Sequence, residues 1–175
     1  MATHRVLVAF ASEQGLTAEI ARAIARTLRE RGLHVDCLAA TSVDDVTPYE
    51  GVVLGSGVFL PRRASDGQGF LPRHAAALRG RALWLFASGP LGQVLHPCGV
   101  AATPGALGDG NGDSPLAQVA RKVGARGLAA FGASAEVAVG SLCGAGTVAQ
   151  SELVRGWAMA IAADLASPDG GRYPH

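Results

Sequence analysis

An apolar strand that runs directly into a glycine-containing loop and an amphipathic helix is the feature that most constrains this chain. Residues 6–11 read VLVAFA, and residues 12–17 read SEQGLT. Free backbone N–H groups and the helix dipole converge at the start of such a helix, which makes it an anion site. Ser12 and Thr17 can add hydroxyl donors, and Gly15 lets the backbone close around a phosphate. The segment therefore predicts a phosphorylated ligand at the first strand-to-helix turn.

The rest of the chain alternates between strands and helices. The apolar patterns predict strands at residues 5–11, 33–38, 51–56, 82–88 and 127–134, and helices at residues 17–31, 69–78, 115–123 and 151–165. Gly32 ends the first helix, and residues 42–49 form a turn or a single helical turn. Such alternation indicates a parallel sheet with right-handed crossovers and helices on both faces. Residues 89–114 and 135–148 fit neither pattern.

Composition and charge exclude several classes of protein. The 175 residues are 49% hydrophobic and 17% charged, which is typical of a globular protein. A net charge of +1 gives no long-range field for nucleic acid. No apolar run approaches the length of a membrane span, and the first residues resemble a strand rather than a signal peptide. We therefore expect a cytoplasmic protein with no nucleic-acid partner and no integral membrane segment.

The cysteine pattern and one acidic loop do not support a metal site. Cys37, Cys98 and Cys143 are far apart in sequence and form no CxxC pair, which argues against a disulfide framework or zinc. His96 and Cys98 flank a proline, but two candidate ligands are too few to define a metal or nucleophile site. Residues 109–113 read DGNGD, yet a calcium loop needs a Glu where this chain has an alanine. We expect no metal, and the sequence identifies no catalytic residue.

Two pairs of basic residues have a simple structural interpretation. Arg73 and His74 lie on the second predicted helix, where they are expected to form a solvated face. Arg62 and Arg63 follow Pro61 and could attract an anionic substrate, but solvated arginines are the simpler interpretation.

Three loops together resemble the flavodoxin-like family, whose phosphate loop reads roughly Ser/Thr-x-Thr-Gly-x-Thr. That loop here is residues 12–17, and the likeness extends through residues 53–59 (VLGSGVF) and 84–92 (WLFASGPLG). The latter two segments end the third and fourth predicted strands, where the family places its two isoalloxazine-contacting loops. The closest likeness is to the branch that contains quinone-dependent protoporphyrinogen oxidase and related flavodoxin-domain proteins.

The resemblance implies a specific architecture. It is an α/β fold with a doubly wound, five-stranded parallel sheet of order 2-1-3-4-5, between helices in a three-layer αβα arrangement. Residues 1–166 are expected to form a single flavodoxin-like domain, with residues 167–175 as a frayed tail. Ligands of such a sheet bind beyond the carboxyl ends of the strands, at the topological switch point. The first, third and fourth strands all end there in loops that contain Gly and Ser.

The ligand that the resemblance implies is FMN, with its phosphate on the first loop and its ring between the other two. Gly57 and Gly89 permit close backbone approach to a flat ring, and Phe59 is the nearest stacking candidate. The expected cofactor-binding residues are Ser12, Glu13, Gln14, Gly15, Leu16, Thr17, Ser56, Gly57, Val58, Phe59, Ser88, Gly89, Pro90, Leu91 and Gly92. The structural alternative for the first loop is a tight turn in which Thr17 or Ser12 caps the helix.

Three functions stay open from the sequence. The favoured one is an FMN-dependent oxidoreductase that acts on a porphyrinogen or another small aromatic substrate, with quinone as acceptor. The second is a flavodoxin-type electron carrier, but such carriers are typically strongly acidic, and the net charge here is +1. The third is a specialised biosynthetic enzyme that has lost FMN, which Gln14 and Leu16 favour because they depart from the family loop. The partner is a small-molecule substrate or a redox protein, and a homodimer stays open.

Overall fold

A five-stranded parallel sheet forms the centre of the computed structural model, which describes residues 4–11, 15–56, 66–88, 115–131 and 147–167. Its strands are β1 (Arg5–Phe10), β2 (His34–Ala39), β3 (Gly51–Ser56), β4 (Ala82–Ser88) and β5 (Gly127–Phe131). They are ordered β2-β1-β3-β4-β5, and every neighbouring pair is parallel. The predicted sheet order is therefore confirmed.

Helices connect the strands. They are α1 (Leu16–Glu30), α2 (Asp66–Arg73), α3 (Ala75–Leu78), α4 (Pro115–Val123) and α5 (Thr147–Ala166), with a 3₁₀ turn at Ala40–Ser42. The first and fourth of these agree with prediction to within one residue, whereas α5 begins before the predicted position. The segments at residues 89–114 and 135–146 lie outside the described residues, as do the last residues of the predicted fifth strand.

The single helix predicted at residues 69–78 is wrong, because the structure divides this segment into α2 and α3 at His74. Pro72 lies near the end of α2 and has no N–H to donate to the preceding turn. Only four residues of helix follow, and the His74 carbonyl accepts the Leu78 N–H at 2.9 Å.

The expected solvated face at Arg73 and His74 is wrong for His74, which is only 6% exposed, and right for Arg73. Its ring lies 4.6 Å from the ring of Phe70, four residues earlier. Residues at that spacing share one face of a helix, and here that face is buried. Arg73 itself is exposed at the surface, but it donates to the Ala40 carbonyl at 2.8 Å.

Each face of the sheet packs against its own layer of helices. On one face, Val8 and Trp84 lie in a buried cluster with Ile24 of α1 and Trp157 of α5. On the other face, a second buried cluster includes apolar residues of β1, β3 and β4 together with Phe70 of α2. The αβα layering implied by the resemblance is therefore present in the described residues.

The helix α1 ends where the sequence predicts. Gly32 has φ +84°, a conformation that glycine adopts without a steric cost. Its N–H donates to the Arg29 carbonyl at 2.9 Å, and the Leu33 N–H donates to the Leu28 carbonyl at 3.3 Å. These bonds satisfy carbonyls that the last turn leaves without partners, so the chain turns sharply into β2.

The register aligns the carboxyl ends of β1, β3 and β4 along one edge of the sheet. Phe10 pairs with Gly55, and Gly55 in turn pairs with Phe86. A Cβ atom on Gly55 would lie 2.1 Å from the Phe86 ring, so a larger residue cannot occupy this position without movement of the ring. The Ala11 N–H continues the pairing by donating to the Gly55 carbonyl at 2.8 Å. The chain that leaves β1 is thereby held close to the end of β3.

Candidate functional site

The described residues include five of the predicted cofactor-binding positions, and all five lie at the carboxyl edge of the sheet. Gly15, Leu16 and Thr17 begin α1, Ser56 ends β3, and Ser88 ends β4. The other predicted positions, Ser12, Glu13, Gln14, Gly57, Val58, Phe59, Gly89, Pro90, Leu91 and Gly92, lie outside the described residues. The structure therefore brings together part of each of the three predicted loops.

No side chain of the described residues caps the N-terminus of α1. Gly15 occupies the N-cap position with φ +88° and ψ −163°, a combination that is essentially restricted to glycine. The Gly15 carbonyl accepts the Glu19 N–H at 3.3 Å, which is the first hydrogen bond of the helix. The N–H groups of the three residues from Leu16 to Ala18 consequently have no acceptor within the helix. Backbone donors and the positive end of the helix dipole thus coincide.

The proposal that Thr17 caps α1 is wrong, because Thr17 lies two positions inside the helix and Gly15 occupies the cap. Its hydroxyl instead forms a hydrogen bond with the hydroxyl of Ser88, which is distant in sequence. Both side chains are deeply buried, with Thr17 4% exposed and Ser88 3% exposed. The start of α1 and the end of β4 are therefore in direct contact.

A third buried hydroxyl residue lies at the end of the neighbouring strand. Ser56 is 1% exposed, and in the register it is opposite Ala87, the residue before Ser88. Because side chains alternate between the two faces of a strand, Ser56 lies on the face of Leu54 and Ala87, whereas Ser88 lies on the face of Trp84 and Phe86. The Ser56 hydroxyl is therefore on the other face of the sheet from the Thr17–Ser88 pair.

Among the described residues, the fixed charges near the start of α1 largely offset one another. Glu19 and Arg22 lie in the first two turns of α1, are exposed, and carry opposite charges. Arg22 lies over the Phe10 ring, with its guanidinium carbon 6.0 Å from the ring centroid. Within the described part of the site, the groups suited to an anion are therefore the N–H and hydroxyl groups.

The described cysteine does not have the character of a nucleophile. Cys37 on β2 is a free, half-buried thiol whose pKa is raised by burial, against the opposing effect of Arg29 and Arg22. A thiol with a raised pKa is mostly protonated and hence unreactive near neutrality. The part of the chain that the structure describes also contains no group of three or more residues able to hold a metal ion. His96, Cys98, Cys143, Phe59, the two arginines after Pro61 and the DGNGD loop all lie outside it.

A cavity that sequence reasoning did not predict lies at the opposite, amino edge of the sheet. It has a volume of about 580 Å³, and its lining includes His4, Glu50, Arg81 and Arg126. His4 Nδ1 lies 2.5 Å from Glu50 Oε2, and Arg126 pairs with Asp164 at 3.5 Å. These residues come from separate segments of the chain, so no local motif could have revealed the cavity.

Arg81 is the most extensively bonded of these residues. Its guanidinium donates to the carbonyl of Tyr49 at 2.8 Å, to that of Thr47 at 2.7 Å, and to that of Ala77. It therefore ties the loop before β3 to the end of α3. The polar groups of this cavity are largely engaged with one another, which indicates a structural role.

Solved structures with this fold include proteins from several organisms. A flavodoxin from the domain Archaea is 15% identical, with a TM-score of 0.62, and the alignment covers 93% of this chain and 99% of that one. Flavodoxin 2 from Bacillus cereus is 18% identical, with a TM-score of 0.59, and covers 91% and 98% respectively. Rubredoxin oxygen:oxidoreductase from Desulfovibrio gigas is 18% identical, with a TM-score of 0.59, over 93% of this chain but only 37% of that one. These likenesses establish the fold.

Comparison of the sequence with known protein families finds a match over part of the chain. Residues 7–93 match the Flavodoxin domain family. No curated protein sequence matches the chain. Among the helices of the described residues, none has the length and apolarity needed to cross a membrane. The chain thus has the flavodoxin-like fold, and its flavodoxin-family segment, residues 7–93, contains all three loops on which the resemblance rests.

Proposed function

We propose that this protein is a redox protein that binds FMN at the carboxyl edge of its sheet. The observation that carries the proposal is the buried Thr17–Ser88 hydroxyl pair at the uncapped start of α1. Hydroxyl groups buried beside free helix N–H groups suit a phosphate, because the phosphate oxygens are strong acceptors and the helix dipole favours negative charge. The phosphate of FMN would be held by the Thr17 hydroxyl and by the N–H groups that follow Gly15.

The proposed position of the FMN ring is based on the loops predicted from the sequence. The loops after Ser56 and Ser88 begin side by side on β3 and β4, so a flat ring bound between them would lie next to the phosphate site. We propose Phe59 as the stacking residue, with backbone N–H groups near Gly57, Gly89 and Gly92 bonding the pyrimidine edge. When bound, FMN supplies one-electron and hydride-transfer chemistry, and the protein residues bind and orient it.

We favour an enzyme over a carrier. A net charge of +1 does not suit the electrostatic docking of a strongly acidic carrier onto basic redox partners. The substrate proposed from the resemblance is a small aromatic or porphyrinogen-like molecule, with quinone as acceptor. One structural neighbour is named as an oxidoreductase, rubredoxin oxygen:oxidoreductase, whereas others are named as flavodoxins. A flavodoxin-type carrier is therefore the second candidate.

The absorption spectrum of the protein as isolated tests the cofactor. We expect a yellow protein, or a colourless one that quenches FMN fluorescence on titration. Thr17→Val should weaken FMN binding about tenfold, because a charge-assisted hydrogen bond to the phosphate is lost. Thr27→Val is a matched control, since Thr27 is a buried threonine of the same helix whose hydroxyl donates to the Ala23 carbonyl at 3.1 Å.

Two results would contradict the FMN proposal. One is a colourless protein that leaves the spectrum and fluorescence of added FMN unchanged, which would favour an enzyme that has lost the cofactor. The other is an equal affinity of the Thr17→Val variant and the parent protein for FMN. If FMN binds, turnover with a reduced porphyrin and a quinone distinguishes an enzyme from a carrier, because a carrier would show no turnover.

A further inference from the structure

We infer that Ser88 is a positioning residue, which orients the Thr17 hydroxyl so that its hydrogen points towards the phosphate of the ligand. This inference rests on the proposed FMN site and adds a role within it. It starts from the hydrogen bond between the two hydroxyls, which joins the last residue of β4 to the second residue of α1.

Burial restricts the partners of both hydroxyls. Thr17 and Ser88 are 4% and 3% exposed, so water is largely excluded from them. Each hydroxyl carries a single hydrogen and can accept two hydrogen bonds. The contact between the two oxygens holds only one hydrogen, so one residue is the donor and the other the acceptor. Two arrangements are therefore available to the pair.

An anion at the start of α1 discriminates between these arrangements. If Thr17 donates to Ser88, its oxygen presents a lone pair to the phosphate, and the two repel. If Ser88 donates to Thr17, the Thr17 hydrogen is free to bond the phosphate. A hydroxyl that accepts a hydrogen bond is also polarised into a better donor. A bound phosphate thus selects the arrangement in which Ser88 donates.

The consequence is that Ser88 strengthens phosphate binding through Thr17. Its contribution should appear only when the ligand carries a phosphate and only when Thr17 retains its hydroxyl. A contact between Ser88 and the ring would behave differently, because it would affect FMN and its dephosphorylated form, riboflavin, alike. The ratio of the two affinities therefore isolates the positioning role.

A double-mutant cycle measures this role. Dissociation constants for FMN and for riboflavin are determined by fluorescence quenching for the parent protein, Ser88→Ala, Thr17→Val and the double variant, after thermal melting confirms that each is folded. We expect Ser88→Ala to lower the preference for FMN over riboflavin about fivefold. In the Thr17→Val background the same change should leave the preference unaltered, because residues that act through one another are not additive.

Two further variants serve as a substitute and a control. Ser88→Cys keeps a small side chain but is a weak donor, and it should lower the preference in the same direction if Ser88→Ala does not fold. Thr27→Val should not change the preference. The inference is overturned if Ser88→Ala, or Ser88→Cys in its place, leaves the preference for FMN over riboflavin unchanged while Thr17→Val lowers it. It is also overturned if the effects of the Ser88 and Thr17 substitutions on this preference are additive in the double variant. Absence of FMN binding to the parent protein would instead overturn the proposed function.

Discussion

The polar groups at the two edges of the sheet differ in how they are hydrogen-bonded within the protein. At the amino edge, His4 pairs with Glu50, and Arg81 donates to three backbone carbonyls. At the carboxyl edge, α1 begins without a side-chain cap, and Thr17 and Ser88 share one contact between two hydroxyls. Satisfied groups stabilise the fold, whereas donors that have no partner among the described residues are candidates for contact with a ligand. In this molecule the donors at the carboxyl edge therefore indicate a binding site better than the large cavity at the amino edge does.

The amino edge should be the more important for stability. Arg81→Met removes three hydrogen bonds to the carbonyls of Thr47, Tyr49 and Ala77, and we expect a loss of about 3 kcal/mol in the free energy of unfolding. FMN affinity should not change, because Arg81 lies at the opposite edge from the N-terminus of α1. Urea denaturation and FMN titration measure the two quantities. Arg79→Met, at a neighbouring exposed arginine, should have little effect on stability or on FMN affinity. A loss of FMN affinity in Arg81→Met would show that the amino edge also contributes to FMN binding.

The carboxyl edge should be sensitive to its glycine. Gly15→Ala places a Cβ on a backbone with φ +88° and ψ −163°, so we expect about 2 kcal/mol of destabilisation together with weaker FMN binding. Gly156→Ala, within α5 and with nothing within 4 Å of the added Cβ, should instead stabilise the protein slightly. Thermal melting with and without FMN compares the two variants. Equal stability of the Gly15→Ala variant and the parent protein would contradict the assigned conformation.

A smaller effect is expected from the acidic residue in the first turn of α1. Glu19 is exposed in the first turn of α1, where its carboxylate would repel a bound phosphate. Glu19→Gln should tighten FMN binding about twofold at low salt, with the gain falling as salt screens the charge. Glu30→Gln, at the other end of the same helix, serves as the control. Similar gains in both variants would show that the effect reflects overall charge and not proximity to α1's N-terminus.

The loop before β3 should contribute a small pH dependence. The hydroxyl and backbone N–H of Thr47 donate to the Asp45 carboxylate and lower its pKa below the ordinary value of 3.8. The folded state therefore favours the charged form, so this stabilisation is present above the ordinary pKa and is lost as the pH falls through the folded-state pKa. Asp45→Asn should be less stable than the parent protein near neutrality, and the difference should shrink in acid. Denaturation curves between neutral pH and pH 3 test this, and a difference that grows in acid would contradict it.

Most of the fold could be predicted from local patterns. The apolar runs at β1, β3 and β4 are buried on both faces, which is a strong signal for parallel strands, and Gly32 marks the end of α1. The break at His74 was missed because a short helix after Pro72 still satisfies helical spacing. The burial of His74 could have been found, since it lies four residues from both Phe70 and Leu78 on one face.

The site could be predicted only in part. The sequence predicted that the ends of β1, β3 and β4 lie at one edge, because parallel strands bring their carboxyl ends together, and the register confirms that placement. It did not predict the contact between Thr17 and Ser88, which depends on strand order and on how α1 lies over the sheet. It also left capping by Thr17 open as an alternative to phosphate binding, because residue type alone does not reveal that Gly15 adopts the conformation which begins the helix.

FMN binding at the carboxyl edge is tested most directly by the change in backbone amide resonances when FMN is added to the ¹⁵N-labelled protein. We expect large shifts at Leu16, Thr17 and Ala18, whose N–H groups have no acceptor within α1. It predicts little change at Glu50 and Arg126, at the opposite edge of the sheet. Shifts confined to Glu50 and Arg126, or no shifts at all, would contradict it.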